Sequence, residues 1–292
     1  MNGGLIMQVG VVFPQTEIGA DPGAVKEFAQ AAEGLGYKHI LAFDHVLGAD
    51  PSAREEWNKP YSSDDMFHEL FVLFGYLAGC TEAIEMVSGI LILPQRQTAL
   101  VAKQAAAVDV LTEGKLRLGI GIGWNDVEYE ALGENFANRG KRSEEQIELL
   151  RELWTKPIVD YHGDYHDITS AGINPLPIQR PIPIWLGGGA DRVINRIARL
   201  GDGWIPQFQP DDNGRAQLDK LWSAMDEIGR DRKEIGIEGR IALNQGGIED
   251  WSKLVTDWDE MGASHLSVNT MKVGLKGPDA HIKAIEEFRD CL

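Results

Sequence analysis

Asp44-His45, the run Gly119-Ile120-Gly121-Ile122-Gly123-Trp124 and the triple Gly187-Gly188-Gly189 are the parts of this sequence best suited to chemistry. A carboxylate beside an imidazole can tune a proton donor or acceptor near neutral pH. The same pair also serves as a turn or a helix cap. Glycines without a Cβ let a flat ligand approach the backbone, and they equally relieve crowding between packed strands. The local pattern leaves both readings open. Spacing excludes the dinucleotide fingerprint G-x-G-x-x-G, because Trp124 stands where its third glycine belongs. The triple glycine lies between a strand and a helix, where bare amides and a helix N-terminus suit a phosphate; a plain flexible turn is the alternative. Trp124 and Trp204 could wall a pocket for a flat or apolar guest, or pack as buried structural rings.

Other chemistries are set aside. In a two-residue hairpin turning at Gly163-Asp164, His162 pairs with Tyr165 and His166 with Tyr161, so the histidines face opposite sides and share no metal. Cys80 and Cys291 are far apart, neither has a CxxC partner, and no disulfide framework is expected. No G-x-S-x-G elbow and no H-E-x-x-H pair occurs. The acidic run Glu144, Glu145 and Glu148 reads as a solvated helix face.

Composition narrows the class. The chain has 292 residues, 43% of them hydrophobic, and a formal net charge of −17. That balance argues against a nucleic-acid backbone or an anionic membrane as partner, while a locally positive site for a phosphorylated small molecule remains possible. No leader and no membrane-spanning run is visible, and a cytoplasmic location is expected.

The elements that must position these residues alternate along the chain. Strands are expected at 7–14, 38–45, 85–94, 115–124, 182–189, 203–206, 235–243 and 265–269. Helices follow each of them, the first with Asp21 as N-cap, Pro22 at N1 and Gly36 as its stop. The third, at 98–112, is expected to bury Leu100, Gln104, Ala107, Val108 and Leu111. A polar loop at 46–65 follows strand two, and a hairpin precedes strand five. Continuous apolar strands separated by helices are the mark of a parallel sheet. Eight such units predict one domain over residues 1–292, a (β/α)8 barrel, with an open doubly wound sheet as the other topology. In a barrel the chemistry lies at the C-terminal strand ends, which is where Asp44-His45, Gly89, Gly123 and Gly187–Gly189 fall.

Four segments carry a family resemblance: AAEGLGYKHILAFDHV, VSGILILPQRQTALVAKQAAAVDVLTEGKLRLGIGIGWNDVEYEALG, NRGKRSEEQIELLRELW and PIPIWLGGGADRVINRIARLGDGWIP. They resemble the bacterial luciferase-like superfamily of (β/α)8 flavoenzymes, and within it the oxidoreductases that use the deazaflavin coenzyme F420. The resemblance implies a non-prolyl cis peptide at Gly89-Ile90 behind the cofactor ring. It places Asp44 and His45 beside the reactive ring face, with His45 as the proton donor or acceptor. Gly121, Ile122, Gly123 and Trp124 would line the ring, and Gly187, Gly188, Gly189 and Ala190 would hold the phosphate. Trp124 stands where members that oxidise a sugar phosphate carry a glutamate, which points to a more apolar or aromatic small-molecule substrate. A homodimer is the implied assembly.

The expected activity is hydride transfer between F420 and a small organic substrate. A monooxygenase using reduced FMN and dioxygen is the rival, and a non-catalytic barrel that binds an anionic ligand is the alternative from another class.

Overall fold

The computed structural model describes residues 7–54 and 57–292. Residues 1–6, part of the stretch examined for a leader, and Glu55 and Glu56 of the 46–65 loop lie outside the described residues. In chain order the elements are β1 (Gln8–Val12), α1 (Pro22–Gly34), β2 (His39–Ala42), α2 (Leu70–Ala78), β3 (Glu85–Ser88), β4 (Leu91–Ile92), α3 (Thr98–Leu111), β5 (Leu116–Gly121), α4 (Asp126–Ala131) and α5 (Arg139–Thr155). Then come β6 (Val159–His162), β7 (Asp167–Ala171), β8 (Ile184–Gly187), α6 (Asp191–Leu200), β9 (Gly203–Ile205), α7 (Asp212–Glu227), β10 (Gly236–Ala242), α8 (Ile248–Glu260), β11 (His265–Asn269) and α9 (Gly277–Arg289).

The strands pair in the order β3-β2-β1-β11-β10-β9-β8-β5-β4, and β3 also pairs with β5. With β3 and β4 counted as two halves of one interrupted strand, eight parallel strands close into a ring inside the helices. The (β/α)8 expectation is therefore met and the open sheet is excluded. Local signals behave as their chemistry dictates at α1, where the Asp21 side chain accepts from the Gly23 amide, Pro22 opens the helix and Gly36 adopts φ +84° just beyond it.

One helix turns its face away from the expected one. α3 buries Val101, Ala102, Ala105, Ala106, Val108 and Asp109, while Leu100 and Leu111 are 51% and 60% exposed. The bulkiest stripe is not the contact face, because small side chains let α3 lie close to its neighbours. The indole of Trp154 on α5 donates to the Ala102 carbonyl at 3.0 Å. Buried Asp109 accepts from the amides of Ile178 and Gln179, which ties the approach to β8. The hairpin also differs. His162 pairs with Asp167, so the turn spans four residues and not two. His162 is exposed and bonds Asp167, whereas His166 turns inward to Thr98 and Glu145. Glu145 is correspondingly not a solvated charge: it accepts from His166 and from the Asp164 and Tyr165 amides, fastening the hairpin to α5. Among the described residues no three His, Cys, Asp or Glu side chains converge as a metal site, and no helix is long and apolar enough to cross a membrane.

Inside the ring the side chains stack in layers, since alternate residues of each strand point inward. The lowest layer is polar. Glu238 takes hydrogen bonds from His39 Nε2 at 2.8 Å and Ser267 Oγ at 2.5 Å and pairs with Arg117, which also reaches Glu85 at 3.0 Å. A Cβ on Gly10 would lie 2.3 Å from the His39 ring, so glycine there is what admits the imidazole. Above lies an apolar layer of Val12, Leu41, Val87 and Met271 with Phe43 against it, which floors the upper mouth of the barrel.

Burial of two histidines, His265 in the polar layer and His281 on α9, gives the fold a pH signature. His265, beside Arg117, is pushed down to about 3 by desolvation and by that cation, and burial lowers His281 to about 4. Both are neutral in the folded protein and protonate near 6.5 when unfolded. Stability therefore falls as pH drops below 6.5, because unfolding takes up protons there. Between pH 6 and 5 these two groups contribute roughly two protons, or about 2–3 kcal/mol per pH unit. Burial opposes ionisation of Glu238, but Arg117 and His39 hold its carboxyl well below the ordinary 4.5, so its share of stability is lost as pH falls below that value. Urea midpoints measured at pH 7, 6 and 5 check this; a flat profile would contradict it.

Candidate functional site

The upper mouth of the barrel opens into a cleft of about 690 Å³. The strand ends build it. β2 contributes Phe43, Asp44 and His45; the β3–β4 junction gives Gly89 and Ile90; and β5 gives Gly121 to Trp124. β8 adds Gly187 and Gly188, the segment after β9 adds Pro206 and Gln207, and β10 adds Arg240. Pro60 and Tyr61 reach in from the long loop after β2. Ten of the expected site residues thus meet in one hollow: Asp44, His45, Gly89, Ile90, Gly121, Ile122, Gly123, Trp124, Gly187 and Gly188. Gly189 and Ala190 do not line it. They are exposed at the rim, with Ala190 as the N-cap of α6.

The Gly89-Ile90 peptide is cis, as the resemblance implies. From Val87 to Leu91 the chain advances four residues while β5 advances three, from Arg117 to Ile120, so the junction is a bulge. The bulge explains the glycines of β5. A Cβ on Gly121 would lie 2.1 Å from Ile90 Cδ1, and one on Gly187 would lie 2.8 Å from Ile90 Cγ2. A Cβ on Gly123 would lie 2.7 Å from Ile92, and one on Gly119 would lie 2.0 Å from the Ser88 carbonyl oxygen. The bare backbone therefore makes room first for the protein's own bulge. Ile90, seated in that space, then lines the cleft.

Asp44 and His45 are adjacent in sequence but differ in what they hold. Asp44 is buried, and both of its oxygens are engaged: Oδ2 accepts from the Ile92 amide at 2.9 Å and Oδ1 from Arg96 Nη2 at 2.6 Å. Burial pushes its carboxyl up, and Arg96 and the Ile92 amide pull against that shift. The geometry gives Asp44 the task of fixing the bulge. His45 lines the cleft. Its Nδ1 lies 3.1 Å from Glu128 Oε1, and that carboxylate also accepts from the Val46 amide at 2.8 Å. A carboxylate only accepts, so Nδ1 carries the proton and Nε2 presents a lone pair. Tyr61, Phe67 and Trp124 surround the imidazole at centroid distances of 5.0, 4.7 and 5.5 Å. Of the two readings left open for Trp124, a pocket wall or a buried ring, the structure places it in the cleft wall. Trp204 is fully buried; its Nε1 donates to the Gly188 carbonyl at 2.7 Å, which fixes the glycine turn from behind.

Sequence reasoning missed Glu128, Tyr61 and Arg240. Glu128 sits in an acidic helical stretch that looks like surface, and Tyr61 is in a loop without periodicity. Arg240 did leave a signal, since Glu238 and Arg240 put two charges on the inward face of one strand.

The donor set suits a planar, phosphate-bearing cofactor. The bulge side of the cleft is apolar, and at the other end Gly188, at φ +110°, leads through Gly189 into the N-terminus of the ten-residue helix α6. Free amides and the helix dipole there favour an anion.

A closed (β/α)8 barrel with a cofactor-sized cleft at its C-terminal strand ends is thus the class that fold and site define. The profile of the luciferase-like monooxygenase family matches residues 4–255, and the chain belongs to that family of oxidoreductases and monooxygenases. An uncharacterised Mycobacterium tuberculosis protein is 35% identical over 213 residues, covering 71% of each chain. The FMNH2-dependent dimethylsulfone monooxygenase of Pseudomonas putida is 29% identical over 200 residues, 67% of this chain and 52% of that protein. In fold the chain is similar to an F420-dependent secondary alcohol dehydrogenase solved with an F420–acetone adduct, at TM-score 0.78 and 17% identity, covering 98% of each. It is also similar to an EDTA monooxygenase from Chelativorans, at TM-score 0.79 and 13% identity, covering 97% and 92%.

Proposed function

We propose that this enzyme transfers hydride between the deazaflavin F420 and a small organic substrate, with His45 as proton acceptor and donor. The observation that supports this reading is His45 itself. Its Nδ1 is tied to buried Glu128, and it lines the same cleft as Ile90 and the glycine ends of β5 and β8. Bound there, the deazaflavin supplies a two-electron centre that takes or gives a hydride. The Gly187-Gly188 turn and the α6 N-terminus would hold its phosphate, and Ile90, Ile122 and Trp124 would contact its ring. For each hydride that leaves an alcohol carbon, the hydroxyl must also lose a proton, and Nε2 of a Nδ1-protonated imidazole accepts it. In the reverse direction the imidazolium returns it. Glu128 orients the ring, while Tyr61, Phe67 and Trp124 keep water from it.

A second reading has its own support. The 29%-identical relative bears the name of an FMNH2-dependent monooxygenase, and reduced FMN has the ring shape and phosphate that this cleft suits. Titration separates the readings. Micromolar binding of F420 with weak binding of oxidised and reduced FMN is expected. Tight reduced-FMN binding without F420 binding would turn the assignment to a monooxygenase, and binding of neither would leave a barrel without redox chemistry.

A further inference from the structure

Arg240 is an anomaly in a chain of net charge −17. It stands on the inward face of β10 at the cleft, two residues above Glu238. Two other arginines of the barrel interior and mouth are tied down: Arg117 holds Glu85 and Glu238, and Arg96 holds Asp44 and Glu69. Arg240 has neither a hydrogen bond nor an ion pair among the described residues. Glu238 does not serve it, because that carboxylate is already taken by Arg117, His39 and Ser267. Burial weakens the Arg240 charge, with Tyr61 and Glu238 acting against that loss. A guanidinium remains protonated at neutral pH in any case, and this one lies half-buried in the cleft wall with no hydrogen-bonded carboxylate of its own. Such a departure from ordinary packing belongs to functional sites.

The group that would satisfy Arg240 must be anionic and must come from outside the chain. A guanidinium presents a planar fork of donors that matches a carboxylate. The cofactor phosphate is served elsewhere, at β8 and α6, with β9 standing between β8 and β10. Tyr61 lies near enough to act on its charge, and the same cleft offers Phe43, Pro206 and Gln207, a mostly apolar wall with one amide. We infer that Arg240 recognises a carboxylate on the substrate, whose apolar body lies against Phe43 and Tyr61. This rests on the reading of the cleft as a cofactor-and-substrate site, and it narrows the substrate to organic acids.

Benzoate and benzamide are probes of one shape that differ in charge. Calorimetric titration of the full chain at low ionic strength is expected to show benzoate binding at least about tenfold tighter than benzamide, the scale of one charge-assisted hydrogen bond. Arg240→Gln should abolish that preference while leaving benzamide binding intact, which also reports that the variant is folded. Arg240→Lys should keep part of it. Equal binding of the two probes by the wild type, or a preference that survives in Arg240→Gln, would overturn the inference. A third arm titrates F420 and FMN into both proteins. If Arg240→Gln weakens cofactor binding as much as benzoate binding, the guanidinium serves the cofactor's own anion and the inference fails. Loss of cofactor binding in the wild type with the benzoate preference intact would instead refute the redox reading and leave the anion site standing.

Discussion

Replacing His45 with glutamine is expected to lower turnover by roughly 10²- to 10⁴-fold, the range for removing a positioned general acid–base group. Cofactor affinity should change little, because the imidazole handles a proton and the ring and phosphate are held by other residues. Glutamine fills much of the imidazole's volume, so the pocket of Tyr61, Phe67 and Trp124 keeps its shape. Glu128→Ala should reproduce part of the loss by a different route. It removes the acceptor that selects the Nδ1–H tautomer, and it strips the Val46 amide of its partner. Nitrogen NMR of the imidazole reads the first effect without any substrate: Nδ1 protonated in the wild type, a tautomer mixture in Glu128→Ala. Full turnover in His45→Gln would remove the proton chemistry from this residue.

The second large effect concerns folding. Gly119→Ala would set a Cβ 2.0 Å from the Ser88 carbonyl oxygen and 2.6 Å from Ile205 Cδ1. Backbone cannot yield as a side chain can, and Ser88 is further fixed by its Oγ, which donates to the Gly119 carbonyl at 2.7 Å. A cost of about 3 kcal/mol is expected, the upper end for overpacking a core, and it should appear as a lowered urea midpoint. Gly121→Ala is the informative contrast. Its Cβ would meet only the flexible tip of Ile90, at 2.1 Å, so the double variant with Ile90→Ala should recover most of the lost stability. The same double variant should still bind cofactor weakly, because Ile90 no longer lines the cleft. Rescue of Gly119→Ala by Ile205→Ala alone would contradict the view that the Ser88 backbone is the obstacle.

Much of this site is readable from the sequence, for a physical reason. Strand ends converge at one mouth of a barrel, so the glycine clusters and Asp44-His45 could be placed together once eight strand–helix units were recognised. Their division of labour was not readable. Asp44 and His45 share a dipeptide and both line the cleft, yet the Asp44 carboxylate is taken by Arg96 and the Ile92 amide while His45 is held by Glu128. The glycines of β5 look like ligand-binding backbone, and only the three-dimensional bulge reveals Ile90 as their occupant. Gly189 and Ala190 lie two and three residues past Gly187, the last residue of β8, which puts them at the rim. Glu128 and Arg240 escaped because their meaning depends on partners that are distant in sequence, 83 residues away in the first case and absent among the described residues in the second. The α3 face failed for a related reason: helical periodicity identifies a stripe of large residues, while close helix packing selects small ones.

A crystal structure of the protein with F420 bound tests the central claim most directly. The account predicts the ring against Ile90 with His45 beside it, and the phosphate at Gly187-Gly188 and the first turn of α6. A cofactor seated away from Ile90, or with its phosphate at Arg240, would contradict it.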